Sequence, residues 1–282
     1  MGKSWAAFPH PAKAFDYAGD RLQKAWSELH LGDQEPFPDE KRVAQLLVDG
    51  GKSKKSMPAG KAAESLQEAW RAFHRGDFQL AVEIGESLGA AGATVANKAE
   101  GIHAVYLVED DKAKLKHFMN CVERAEDAIA ALPGDANAHY LRAFALGRYS
   151  QGISITKALS QGLAGKVKES LDHALRLAPK HAEAHTALGL YHAEIIDKVG
   201  AMIGGITYGA KAATASEYLE KALKLTPKAP IAWIEYGNGL LMLHGDRKIA
   251  EAEKAYAKAA AIKPIDAMQA LDVDYAKDQL ED

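Results

Sequence analysis

The chain has 282 residues, 48% hydrophobic and 26% charged, a composition that excludes global disorder and suits one large domain, a repeat array or two small domains. With 35 Lys and Arg against 38 Asp and Glu the net charge is −3, so no electrostatic basis exists for DNA or an anionic membrane as the main partner. A single cysteine excludes an internal disulfide and a four-cysteine metal site.

The N-terminus, MGKSWAAFPHPAKAFDYAGD, has no unbroken apolar run, because Pro9, His10, Pro11, Lys13 and Asp16 interrupt it. No signal peptide is expected. The apolar stretch from Ile195 to Ala210 contains Asp197, Lys198 and several glycines, too polar and broken for a membrane span. A cytoplasmic protein is the expectation. Trp5, Phe8, Phe15, Tyr17, Trp26 and Phe37 are dense for a tail and predict a segment packed on the rest of the molecule.

Residues 1–48 are expected to form a helical, repeat-like cap. AWSELHLGD (Ala25 to Asp33) and AWRAFHRGD (Ala69 to Asp77) share A-W-x3-H-x-G-D. His30 and His74 fall in a last helical turn, Gly32 and Gly76 suit the left-handed conformation after it, and Asp33 and Asp77 can cap the next helix. After Asp33, Pro36 and Pro38 delay that helix to about Asp39. Residues 49–61, DGGKSKKSMPAGK, lack periodicity and read as a flexible basic linker. Their GGKS does not make a phosphate-binding loop: the required glycine five residues before Gly-Lys is Leu46, inside a helix, and no strand precedes it.

Residues 62–264 are organised by prolines. CVERAEDAIAALP, VKESLDHALRLAP, ASEYLEKALKLTP and AEKAYAKAAAIKP end at Pro133, Pro179, Pro227 and Pro264. Twelve residues before the proline stand Cys121, Val167, Ala215 and Ala252; eight before stand Ala125, Leu171, Leu219 and Tyr256. Five before it the residue is always alanine (Ala128, Ala174, Ala222, Ala259), and two before stand Ala131, Leu177, Leu225 and Ile262. Steps of four, three and three make one helical stripe. A second helix precedes each of the last three, aligned through His139, His185 and Trp233 and then through Ala143, Gly189 and Gly237, a bulky residue followed by a small one that admits a close neighbour. Residues 265–282 are expected to form a capping helix with an acidic end.

The AWIEYG and ALGLY stretches with their A-x2-L-x-P endings resemble the tetratricopeptide repeat (TPR), W-x2-L-G-x2-Y then A-x3-F-x2-A and P. This resemblance implies an all-α fold, a right-handed TPR superhelix of antiparallel helix pairs. The first three prolines are spaced well beyond the usual ~34 residues. The surplus lies in GRYSQGISITKALSQGLAGK and EIIDKVGAMIGGITYGAKAA, so two pairs are expected to have elongated helices. Such helices resemble those of TRAP-transporter T-component proteins and of the regulator of microtubule dynamics family, over residues 93–264. The T-component proteins are lipid-anchored and periplasmic, and this N-terminus has no cysteine to anchor.

No catalytic pattern stands out. His181 and His185 are spaced i, i+4 but lack a His-Glu-x-x-His frame; Cys121 occupies a small-residue column; and Glu169, Glu217, Glu220 and Glu251 lie on solvent-facing helix positions. No enzyme activity, metal or cofactor is expected. In TPR proteins the first helix of each pair lines the concave face, which places Asn137, Tyr140, Phe144, Glu183, Thr186, Leu190, Ile231, Ile234 and Asn238 there. Without Lys or Arg this set does not match the clamp with which family members hold acidic peptide C-termini, and suits an apolar or aromatic-anchored ligand. The resemblance implies a non-catalytic adaptor or scaffold binding a protein or peptide; from the charge balance no nucleic-acid partner is expected, and from the broken apolar stretch no membrane span. Two alternatives stay open: a small apolar ligand held between the elongated helices, or self-assembly through inserts rich in aliphatic residues (Ile153, Ile155, Leu159, Ile195, Ile196, Val199, Ile203, Ile206). The same concave residues could instead be ordinary core.

Overall fold

The computed structural model describes residues 5–51 and 57–281, and among these there is no β-strand. The chain divides into two compact units. The first, residues 1–28, 35–163 and 266–268, contains α1 (Arg21–Leu29, whose last residue falls in the second unit), α2 (Glu40–Asp49), α3 (Ala59–His74), α4 (Phe78–Ser87), α5 (Ala93–Tyr106), α6 (Asp111–Ala131), α7 (Ala136–Gln151) and α8 (Ile155–Ser160). The second, residues 29–34, 164–265 and 269–282, contains α9 (Leu163–Leu177, whose first residue falls in the first unit), α10 (Ala182–Val199), α11 (Ala201–Tyr208), α12 (Ala212–Leu225), α13 (Pro230–His244), α14 (Ile249–Ala260) and most of α15 (Ala267–Glu281).

The proline-aligned stripes are buried as their period requires. Ala128, Ala174, Ala222 and Ala259 are all buried, as are Cys121, Val167, Ala215 and Ala252, and Ala125, Leu171, Leu219 and Tyr256. The column two before the proline is an exception. Leu177 is exposed and its equivalents are half-buried, because this position falls in the last turn, where the stripe has run off the contact. Opposite the buried columns sit the small residues of the partner helix. A Cβ on Gly189 of α10 would lie 2.7 Å from Leu219 of α12, and one on Gly237 of α13 would lie 2.8 Å from Tyr256 of α14. Glycine lets the helices of each pair approach this closely.

The turns between repeats share a hydrogen bond. His139 Nε2 lies 3.0 Å from the carbonyl of Pro133, and His185 Nε2 lies 2.9 Å from that of Pro179. The indole N–H of Trp233 donates to the carbonyl of Pro227 at 2.9 Å. A carbonyl only accepts, so each imidazole carries its proton on Nε2. The column occupied by His, His and Trp thus shares a ring N–H as well as bulk.

The N-terminal segment departs from its expected local geometry. Gly76 is left-handed (φ +89°), but at the first A-W-x3-H-x-G-D site the positive φ falls on Gln34 (φ 54°) rather than Gly32. His30 Nδ1 meets the Asp33 carboxylate at 3.0 Å instead of a helix carbonyl, and His74 Nδ1 meets Asp266 at 3.0 Å, both buried. The cap of α2 is Asp39, which accepts from Arg42 N–H, while Asp77 makes no side-chain cap bond at α4. Trp26 packs edge-on against Phe37 and Trp70, joining α1 to α3. Of the expected linker, residues 52–56 lie outside the described residues; on either side, α2 ends at Asp49 and α3 begins at Ala59. The two inserts run α7 to Gln151 and α10 to Val199, then break into the short helices α8 and α11, with Gly200 (φ +81°) starting α11 and left-handed Gly209 (φ +66°) ending it.

Gly189→Leu and Gly237→Leu are each expected to lower stability by about 1–3 kcal/mol, since Leu219, Tyr256 and the carbonyls of Ala215 and Ala252 leave no room. Denaturant midpoints measure this, and unchanged values would place these glycines away from any helix contact.

Candidate partner-binding surface

In the first unit α7 carries Asn137, Tyr140 and Phe144. Asn137 is buried and donates from Nδ2 to Glu35 Oε2 at 2.7 Å, and Arg42 of α2 stands 3.6 Å from the same carboxylate. Tyr140 is buried, its ring 6.4 Å from that of Phe144. Phe144 is half-buried, edge-on to Phe118 of α6, with the Arg148 guanidinium over its face. A Cβ on Gly101 of α5 would come within 2.7 Å of the Phe144 ring.

In the second unit α10 and α13 pack side by side. Glu183 is half-buried; its backbone N–H donates to the Gly32 carbonyl at 3.2 Å, and its carboxylate borders Gly32. Thr186 is buried, its hydroxyl donating to the Ala182 carbonyl. Ile234, only 1% exposed, belongs to a core with Ala252, Tyr256, Ala259 and Ala276. Asn238 donates to Glu235 at 2.8 Å and accepts from the Tyr256 hydroxyl at 2.7 Å. Leu190 and Ile231 are half-buried.

Of the nine residues, then, Asn137, Tyr140, Thr186 and Ile234 face other parts of the chain. Phe144, Glu183, Leu190, Ile231 and Asn238 keep accessible surface. The sequence pattern missed two contributors: Glu35, which reaches α7 within the first unit, and Gly32, which reaches α10 within the second. The prolines and charges of QEPFPDE mark an irregular segment but carry no address for so distant a contact.

A buried ionic cluster joins α5 and α6. Glu100 accepts from His117 Nδ1 at 2.8 Å, from Asn120 at 2.9 Å and from Arg124 at 2.8 Å. Arg124 also bonds Asn97 at 2.7 Å and pairs closely with Glu86. Burial pushes the Glu100 carboxyl up, but His117, Arg124 and Asn120 outweigh it and hold it below its ordinary value. Burial likewise raises the Cys121 thiol, which removes it as a nucleophile. A carboxylate this fully satisfied holds two helices together rather than awaiting a proton. Among the described residues no group of three or more His, Cys, Asp or Glu is placed to hold a metal ion.

An open cavity of about 400 Å³ lies against α9, α10 and α11, lined by Lys168, Glu169, Asp172, His173, Arg176, Tyr191 and Tyr208 among others. Lys168 pairs with Asp172 at 2.7 Å, and burial, then Tyr208 and Asp172, push the Tyr191 phenol up to about 12. This ionic and phenolic lining is a poor match for an apolar ligand. The aliphatic residues of the inserts point elsewhere: Met202, Ile203 and Ile206 of α11 are exposed, Ile206 by 83%, as are Ile155 and Leu159 of α8. Among the described residues no helix is long and apolar enough to cross a membrane.

A sequence profile for regulator of microtubule dynamics protein 1-3 matches residues 65–199. That match starts earlier than the resemblance in the repeat pattern and stops where α10 ends. A thermophilic TPR protein of Thermus thermophilus, TTC0263, superposes with a TM-score of 0.54 at 16% identity, covering 77% of this chain and 98% of its own. The chain is a TPR-like helical repeat protein. Human IFIT1, in a dimer with PPP-AAAA, is a more distant likeness, with a TM-score of 0.40 at 16% identity over 87% of this chain and 58% of its own. No curated protein matches the chain.

Arg124→Ala is expected to cost about 3–5 kcal/mol, because it leaves the Glu100 carboxylate buried beside only His117 and Asn120. A loss of stability in urea unfolding below a fifth of that would show that water reaches Glu100.

Proposed function

We propose that this TPR-like protein is a non-catalytic adaptor that binds a protein partner through the first helices of its repeats. The carrying observation is that Leu190 on α10 and Ile231 on α13, first helices that pack side by side in the second unit, remain partly open while Thr186 beside them is spent on an internal hydrogen bond. Binding there draws on apolar burial. The absence of Lys and Arg at these nine positions argues against an acidic C-terminal ligand. In this reading residues 1–48 act as the N-terminal cap, residues 62–264 as the repeat array and residues 265–282 as its C-terminal cap.

A second reading has its own observation. Met202, Ile203 and Ile206 form an exposed aliphatic face on α11, where self-association would bury them.

Once partners are identified by affinity capture from native extracts, Leu190→Ser with Ile231→Ser should reduce capture at least tenfold while the protein still melts cooperatively, because half-open apolar side chains contribute to binding more than to folding. Met202→Ser with Ile206→Ser should leave capture intact. The reverse pattern, with loss of self-association in the α11 variant, would transfer the function to the second reading.

A further inference from the structure

Residues 5–10 run without helical structure across the first unit, and their attachment differs from that of the residues after them. Trp5 and Phe8 are half-buried, whereas Ala6, Ala7 and Pro9 are exposed. Phe15, Leu22 and Trp26, further along, are buried core. The segment therefore sets two aromatic anchors three residues apart against the unit, with the small side chains between them turned to solvent and the Ala6 backbone interacting with His103.

Each anchor has a shaped seat. The Trp5 ring lies over His103 of α5, with centroids 4.2 Å apart and planes tilted by 31°, and meets His117 of α6 edge-on at 5.1 Å. Its backbone N–H donates to the side-chain carbonyl of Gln79 on α4 at 3.0 Å. Phe8 covers Gly76, where a Cβ would fall 2.4 Å from the ring, and contacts Phe78 edge-on at 6.4 Å and Phe15 at 6.3 Å. Gly76 thus serves two ends: it takes the positive φ of the turn and leaves a hollow for a ring. Burial, then the neighbouring His117, lower the pKa of His103 to about 4, so the imidazole under the indole is neutral at physiological pH and stacks as an aromatic surface.

A core segment of this length would bury the residues between its anchors or tie them into a helix. Here the seats hold a non-helical backbone with an indole and a phenyl ring spaced as Trp-x-x-Phe, the manner in which a groove holds a short linear peptide. We propose that Trp5–His10 is a detachable strap occupying a peptide-recognition groove on α3–α6, and that a partner segment with two aromatic side chains at this spacing takes the groove when the strap leaves. The proposal rests on the protein-binding reading but not on α7, α10 or α13, so the two fail separately. With the strap seated, a partner competes against an intramolecular ligand at high effective concentration; releasing the strap opens the site.

The test uses the full chain carrying Trp5→Ala and Phe8→Ala, with a fluorescently labelled peptide of sequence WAAFPHP as probe. Fluorescence anisotropy should show the variant binding this peptide at least tenfold more tightly than the unmodified chain does, and a peptide with both aromatics replaced by alanine should not bind. Equal affinity for variant and unmodified chain, or no binding to either, would overturn the proposal. Native-state hydrogen exchange on the unmodified chain gives a readout independent of substitution: the amides of Trp5 to Phe8 should open well before those of α5. Exchange of that segment only together with α5 would mark it as integral core and equally overturn the proposal.

Discussion

The link between successive helix pairs depends on a hydrogen bond from a ring N–H to the carbonyl of the proline that ends the preceding helix. His139, His185 and Trp233 each make it, to Pro133, Pro179 and Pro227. The proline has two roles there. It stops the helix because it offers no N–H, and its carbonyl then becomes the acceptor that fixes where the next helix starts. A net contribution of about 0.5–1.5 kcal/mol per bond is modest. Its value is directional, since apolar packing alone tolerates many angles between helices.

Once the turn is fixed, the small-residue columns come into register with the stripes they face. Four positions after the ring donor stand Ala143, Gly189 and Gly237, and the last two lie within van der Waals reach of Leu219 and Tyr256. The alanine five before each proline is buried in all four copies. Elsewhere the fold uses polar chemistry in place of small residues: Glu100, His117, Asn120 and Arg124 hold α5 and α6 together, and the pairs His30–Asp33 and His74–Asp266 fix segments outside the regular repeat. These buried pairs define geometry more than they add stability.

The stripes were legible in the sequence because they have a period, and a period reports which face of a helix is buried. The His/Trp column was legible as bulk but not as a donor, since aligning it by size hides the N–H its members share. Residues 29–38 were legible only as an irregular segment. Glu35 finds Asn137 at a separation of 102 residues, and no local pattern encodes such a contact. For the same reason the nine candidate positions could be located along their helices, while which of them other parts of the chain would cover could not. The left-handed turn at Gln34 rather than Gly32 shows the same limit: a shared motif implied shared geometry, but Asp33 turns back to His30 and moves the bend along the chain.

These features describe a protein whose helix pairs are joined through fixed turns. The turn bond is the central element, and the protonation of the two imidazoles reports it directly. Long-range ¹H–¹⁵N correlation spectra should show a proton on Nε2 in both His139 and His185, facing the proline carbonyl. Burial favours the neutral form of His185 and should keep it so below the usual histidine range. Rings that carry their proton on Nδ1 alone would mean that the proline carbonyls are not held by these donors, and the proposed link between repeats would be wrong.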